Sequence, residues 1–226
     1  MSALKVLGII CGVVLAWWTF QMPSGSGDVA TRQTLSVSEE ADRIVLGWSG
    51  PVQEPMSERV AAALDRYKTD RRRLVLILNS PGGSIEHGRQ VVAAIGARNR
   101  AIDTMVQKEG VCASMCVPIF LAGSRRIADP DAYFMFHQAS LSANAKDTIK
   151  RKELNDAEQA LFIKTLETHA TNELFRQDIG IRGVNGTWLA SMRRKIAGRD
   201  VWMSGQQLVD EGSGIVDHLL VNARAG

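Results

Sequence analysis

LVLILNSPGGS, residues 74–84, is the stretch that decides the fold class. Its first five residues are apolar without alternation, which is typical of a strand buried on both faces of a parallel sheet. A proline and two glycines then interrupt the chain, and apolar residues recur at helical spacing over 85–97. The stretch therefore predicts a strand, a tight turn and a helix in succession, which is one unit of an α/β fold.

Similar strand and helix patterns recur on both sides of this unit. Apolar runs predict further strands at 44–46, 102–106, 133–136 and 215–221, and helical spacing predicts further helices at 57–67, 115–121, 147–177, 188–196 and 206–211. Repeated β-α units predict an α/β fold with right-handed crossovers and a parallel sheet. The length of 226 residues suits one such domain with an N-terminal extension.

The N-terminus predicts export. Lys5 is the one basic residue ahead of the apolar run 6–20, a pattern typical of a signal peptide or a membrane anchor. Residues 1–22 are interpreted as one of these two, and the tryptophans Trp17 and Trp18 favour an uncleaved anchor. Either interpretation places the rest of the chain on the extracytoplasmic side of the inner membrane, tethered there or released into the periplasm.

The composition of the rest of the chain indicates where the folded domain begins and which partners are not expected. Residues 23–40 are polar without apolar periodicity and predict a linker, so the folded domain is expected at 41–226. The net charge of +3 is small and its basic residues form no long run, so nucleic acid is not an expected partner. No histidine is close in sequence to the cysteines of the domain, so no metal is expected, and no cofactor either.

Three loops at predicted strand ends hold candidate catalytic residues. Gly82 and Gly83 follow a buried strand, and glycines let backbone amides approach a developing oxyanion. Ser114 stands among small residues where a strand region meets an apolar helix, so its hydroxyl would project from a sharp turn. His137 is the one histidine of four at a point where a strand opens into a loop. Taken singly, each is more typical of a plain turn, a helix cap or a structural histidine than of a catalytic site.

Together these residues predict a catalytic triad. A serine hydroxyl is a poor nucleophile without a base, and the base needs a carboxylate to fix its tautomer and stabilise its charge. Asp200, just ahead of an apolar segment, is the candidate carboxylate. We therefore predict that Ser114, His137 and Asp200 converge in the fold.

Four motifs in this order resemble the proteolytic subunit of Clp protease, within the Clp-peptidase or crotonase-like fold. They are LILNSPGG at 76–83, ASM at 113–115, MFHQ at 135–138, and RD at 199–200 followed by GSGIVD at 212–217. The resemblance spans about residues 44–220. It implies a serine endopeptidase that cleaves unfolded or extended polypeptides through an acyl-enzyme and works as a homo-oligomer. The N-terminal export segment departs from the soluble members of that family.

The resemblance also implies roles for particular residues. Ser114 would be the nucleophile, His137 the base and Asp200 the orienting carboxylate. The backbone amides of Gly83 and Met115, with Gly82 beside them, would hold the oxyanion and the substrate.

Three other hypotheses stay open at this point. A crotonase-type enzyme would bind acyl-CoA thioesters on the same fold, although it would not need a triad. A signal-peptide-peptidase-like enzyme would use a lysine as its base, for which Lys150, Lys152 and Lys164 are candidates. A membrane-tethered interaction module would have lost catalysis altogether.

Two cysteines flank the candidate nucleophile. In an oxidising compartment, Cys112 and Cys116 could form a disulfide that stiffens the turn around Ser114. The alternative is a pair of small buried apolar residues, because cysteines four apart in a regular helix are poorly placed for a bridge.

Overall fold

The computed structural model describes residues 32–150, 154–180 and 183–220. The export segment predicted at 1–22 lies outside these ranges, so export and the extracytoplasmic location stay predictions. Among the helices of the described ranges, none combines the length and the apolar character that a bilayer crossing requires.

Within these ranges, the larger of two sheets has six strands in the order β1-β2-β3-β4-β6-β9. They are β1 (Thr34–Glu39), β2 (Arg43–Ser49), β3 (Arg73–Asn79), β4 (Ile102–Val106), β6 (Arg126–Ala128) and β9 (His218–Leu219). Neighbours from β2 to β9 are parallel, as predicted, whereas β1 runs antiparallel to β2. The sheet is therefore mixed, and the prediction of a purely parallel sheet is wrong at this edge.

The linker predicted at 23–40 is wrong at its C-terminal end, because β1 occupies residues 34–39. The apolar residues of this strand, Leu35 and Val37, alternate with polar ones, which is the period of an edge strand with one solvated face. Most of its side chains are exposed, so the segment resembles a linker in composition alone. The folded domain thus begins before residue 41.

The smaller sheet contains β5 (Val111–Ala113), β7 (Tyr133–Phe136) and β8 (Val201–Ser204) in that order. β7 is parallel to β5 and antiparallel to β8. The C-terminal ends of β5 and β7 and the start of β8 consequently lie at the same end of this sheet. A short parallel bridge between Ser80 and Cys112 joins it to the loop after β3.

Seven α-helices surround the sheets within the described residues. They are α1 (Met56–Arg66), α2 (Ile85–Gly96), α3 (Cys116–Leu121), α4 (Ala143–Lys150), α5 (Asp156–Glu173), α6 (Gly186–Lys195) and α7 (Gly205–Asp210). The single helix predicted at 147–177 is wrong, because α5 has its own N-terminus. Asn155 accepts a hydrogen bond from the Glu158 amide while the Glu158 carboxylate accepts one from the Asn155 amide, a capping box that fixes a helix start. A π-helical segment, Leu174–Ile179, follows α5.

The apolar core lies on one face of the larger sheet. Along β2 the side chains of Ile44, Leu46 and Trp48 are buried, while the residues between them are partly exposed. Ile77 in β3 is likewise only half-buried, so the strand predicted to be buried on both faces is fully covered on one. Successive side chains along these strands thus point alternately into the core and toward the less buried second face of the sheet.

Candidate active site

Ser114 lies on a tight turn between β5 and α3. Its backbone φ is +52°, a left-handed conformation that few residues with a side chain adopt and that is enriched at functional sites. Its amide donates to the Met135 carbonyl at 2.9 Å, and its carbonyl accepts from the Val117 amide at 3.0 Å. These two hydrogen bonds tie the turn to β7 and to α3, so the backbone of Ser114 is held in a fixed position.

His137 follows β7 and reaches the serine. Its Nε2 lies 2.7 Å from Ser114 Oγ, within hydrogen-bond distance. Ala113 is paired with Met135 across the parallel strands β5 and β7, so the residues just beyond this pair come together. With the ring proton on Nδ1, Nε2 accepts the serine hydroxyl proton, which is the arrangement that a general base requires.

Asp200 precedes β8 and faces the other ring nitrogen. Its Oδ1 lies 3.8 Å from His137 Nδ1, because Val201 is the antiparallel partner of Phe136. This distance exceeds that of a hydrogen bond, and the Asp200 side chain is 59% exposed. The structure therefore brings the three predicted residues together, with the carboxylate about 0.6 Å beyond the usual limit of a hydrogen bond to the imidazole.

The glycine loop packs directly against the serine turn. A Cβ placed on Gly82 would lie 2.6 Å from both the Ser114 Cβ and the Ala113 carbonyl oxygen. The φ of Gly82 is +87°, which independently favours glycine. No larger residue fits at this position without moving the serine.

Among the residues that the structure describes, the amides of Gly83 and Met115 are both unpaired. Val52 forms a parallel bridge with Gly83 through the carbonyl of Gly82 and the amide of Ser84, so the amide of Gly83 itself points away from Val52. Across the described ranges, neither the Gly83 nor the Met115 amide donates a hydrogen bond to the protein. Two free amides that flank a nucleophile can stabilise an oxyanion.

Polar side chains in the loop after β3 hold this arrangement in place. Asn79 Oδ1 accepts from the Val111 amide at 3.1 Å, which fixes the start of β5. Ser80 Oγ accepts from the Gly82 amide at 3.2 Å, which fixes the glycine turn. No such role was predicted for either residue, although polar side chains that directly follow a buried strand are a usable signal for it.

A disulfide joins Cys112 and Cys116 on the two sides of Ser114. The objection that cysteines four apart are poorly placed applies to a regular helix, whereas Cys112 lies in β5 and Cys116 begins α3. The intervening turn brings their Cα atoms to 5.1 Å, which suits a bridge. Both residues are fully buried.

We expect the double variant Cys112→Ala/Cys116→Ala to be less stable by about 2 kcal/mol, the chain-entropy value for so short a loop. The reason is that the disulfide restricts the unfolded chain around the serine turn. Guanidinium unfolding of the variant and of the oxidised wild type measures the difference. Equal unfolding free energies would show that the disulfide contributes nothing to stability.

A lysine base finds no support in this geometry. His137 Nε2 already occupies the hydrogen-bonding position at the Ser114 hydroxyl. Lys150 is paired with Asp147 at 3.5 Å, and Lys152 lies outside the described residues.

A family model for Clp protease matches residues 31–223, which is most of the chain. The chain belongs to the Clp protease family. Members of the Clp protease family are serine peptidases that assemble homo-oligomeric rings and cleave polypeptides. The enzyme class predicted from the sequence motifs is thereby confirmed.

Individual Clp proteins resemble the chain over most of its length. The ATP-dependent Clp protease proteolytic subunit of Streptococcus pyogenes (strain Manfredo) is 27% identical over 187 residues, covering 80% of this chain and 86% of the relative. The protein of the same description from Streptococcus sanguinis is 27% identical over 186 residues, with the same coverage. Among solved structures, a ClpP1 point mutant from Listeria monocytogenes matches with a TM-score of 0.57 at 17% identity, covering 80% of this chain and 92% of that one. The last comparison shows a shared Clp fold.

Proposed function

We propose that this chain is a serine endopeptidase that hydrolyses unfolded or extended polypeptides through an acyl-enzyme on Ser114. The observation that carries the proposal is the 2.7 Å contact between Ser114 Oγ and His137 Nε2. Beside it lie two backbone amides, of Gly83 and Met115, that have no partner among the described residues. A hydroxyl, a base and an oxyanion site are the parts that acyl transfer requires.

The geometry supports a sequence of proton transfers. His137 Nε2 takes the hydroxyl proton as Ser114 Oγ attacks the scissile carbonyl, and the new oxyanion accepts hydrogen bonds from the amides of Gly83 and Met115. The imidazolium then donates its proton to the leaving amine, and water hydrolyses the ester by the reverse transfers. Asp200 stabilises the imidazolium once its carboxylate moves about 1 Å closer to Nδ1.

The backbone around Gly83 is suited to binding a substrate in an extended conformation. One side of this residue is occupied by the bridge to Val52, and its other side forms no backbone hydrogen bond within the described ranges. Strand edges of this kind bind peptides by backbone hydrogen bonds. We therefore propose that an unfolded polypeptide, and not a folded surface, is the substrate.

We also propose that the domain acts on the extracytoplasmic side of a membrane. The apolar run behind Lys5 supports export, and the Cys112–Cys116 disulfide supports an oxidising compartment. Cell fractionation of the full chain tests the location, and recovery of the protein in the cytosol would contradict it.

The cleavage of an unfolded, fluorescently labelled polypeptide tests the proposed function. The assay compares the homo-oligomer of the wild type with the Ser114→Ala variant. We expect product from the wild type alone, and no turnover of an acyl-CoA thioester by either protein. Equal cleavage by both proteins would contradict the nucleophile assignment, and thioester turnover that survives in Ser114→Ala would favour a crotonase-type enzyme.

A further inference from the structure

Helix α5 holds the backbone that continues from His137. Residues 138–142 connect β7 to α4 without forming a regular element. The amide of Ala139 donates to Thr171 Oγ1 at 2.9 Å, and the amide of Leu141 donates to Glu167 Oε1 at 2.9 Å. Two side chains of one helix thus bind alternate amides of the segment.

The spacing explains why a helix can bind the segment in this way. Thr171 and Glu167 are four residues apart and share one helix face, about 6 Å apart along the axis. Alternate residues of an extended chain are about 6.6 Å apart, so the two repeats match. The helix face therefore takes the place of a neighbouring strand.

Both side chains are themselves fixed. Thr171 is 6% exposed and donates its hydroxyl to the Glu167 carbonyl at 2.7 Å. Glu167 is paired with Lys146 at 3.0 Å. The hydrogen bond from the Leu141 amide lowers the pKa of Glu167 against the opposing effect of burial, and the contact with Lys146 lowers it further.

The other edge of the segment is free. In an extended chain, successive amides point to opposite edges, so those of Gln138 and Ser140 point away from α5. In the part of the chain that the structure describes, neither amide has a hydrogen-bond acceptor. This free edge begins one residue beyond the catalytic imidazole.

We infer that Thr171 and Glu167 are positioning residues of the peptidase, which hold residues 138–141 on α5 so that their opposite edge binds the backbone of an extended substrate. The inference rests on the proposed function. A loss of this restraint weakens the binding of long substrates more than the reactivity of the serine. The hydroxyl and the oxyanion amides lie on other elements, and the imidazole belongs to the residue that directly follows the paired strand β7.

The double variant Thr171→Val/Glu167→Leu tests this role, because it removes both acceptors with little change in volume. For an extended peptide, we expect KM to rise about tenfold or more, the consequence of losing one or two ordered hydrogen bonds. The rate at which a small fluorophosphonate labels Ser114 is expected to stay within about threefold of wild type. The conservative pair Thr171→Ser/Glu167→Gln retains both acceptors and should restore KM.

Thr165→Val is the matched control. Thr165 lies on the exposed side of α5. Its hydroxyl donates to the Leu161 carbonyl of its own helix and to no other described group, so the KM of this variant should equal that of wild type. A wild-type KM in the folded Val/Leu double variant would overturn the inference, as would a failure of the conservative pair to restore KM. A wild type that neither reacts with the fluorophosphonate nor cleaves peptide would instead overturn the proposed function.

Discussion

His137→Ala is expected to lower kcat for peptide hydrolysis by about 10⁴-fold or more, the scale seen when the base of a triad is removed. The reason is the 2.7 Å contact between His137 Nε2 and Ser114 Oγ, because no other described group lies in place to take the hydroxyl proton. The residual rate should equal that of Ser114→Ala, since a nucleophile and its base act as one unit. Single-turnover and steady-state kinetics measure the loss.

His169→Ala is the control for this variant, because His169 lies exposed on α5 and is expected to leave kcat unchanged. The base assignment would be contradicted if His137→Ala, folded and assembled, cleaved peptide at a rate near that of wild type. A tenfold loss alone would place His137 outside the chemical step.

Asp200→Asn is expected to reduce kcat by about 10⁴-fold while leaving the fold intact. An asparagine amide facing Nδ1 donates a hydrogen bond to it and so favours the tautomer with the proton on Nε2, which cannot accept the serine proton. The side chain is 59% exposed and lies 3.8 Å from the ring, so its replacement should cost little stability. Peptide hydrolysis together with thermal unfolding separates the two effects.

Asp210→Asn provides a matched charge change on the exposed face of α7 and should retain the wild-type kcat. A wild-type rate in Asp200→Asn would remove this residue from the catalytic assignment and leave a pair of Ser114 and His137.

Local signals were sufficient for β4 and for the strand that places the histidine, whereas β5, which places the serine, was not predicted. The strands at 102–106 and 133–136 begin and end where predicted, because apolar runs there are bounded by polar turns. The edge strand β1 was missed because its outer face is polar. The break between α4 and α5 was missed because a capping box in a charged helical stretch does not disturb the apolar pattern.

In the candidate site too, local sequence predicts some features, whereas others depend on contacts between distant segments. The serine turn and the glycine loop depend on small residues next to buried strands, so their composition predicts them. The antiparallel pairing of β7 with β8, which sets the 3.8 Å separation between Asp200 and His137, joins distant segments and leaves no local pattern. Thr171 and Glu167 look like ordinary surface residues of a helix until the segment after His137 is placed against them.

Mapping the residue that a fluorophosphonate modifies tests the central claim most directly, because the reagent forms a stable adduct only with a serine whose hydroxyl is activated by a base. After treatment of the assembled wild type, peptide mass spectrometry should find one adduct, on the peptide that contains Ser114, and His137→Ala should show none at the same exposure. An adduct on another residue, or a peptide-cleaving preparation in which Ser114 stays unmodified, would contradict the triad described above.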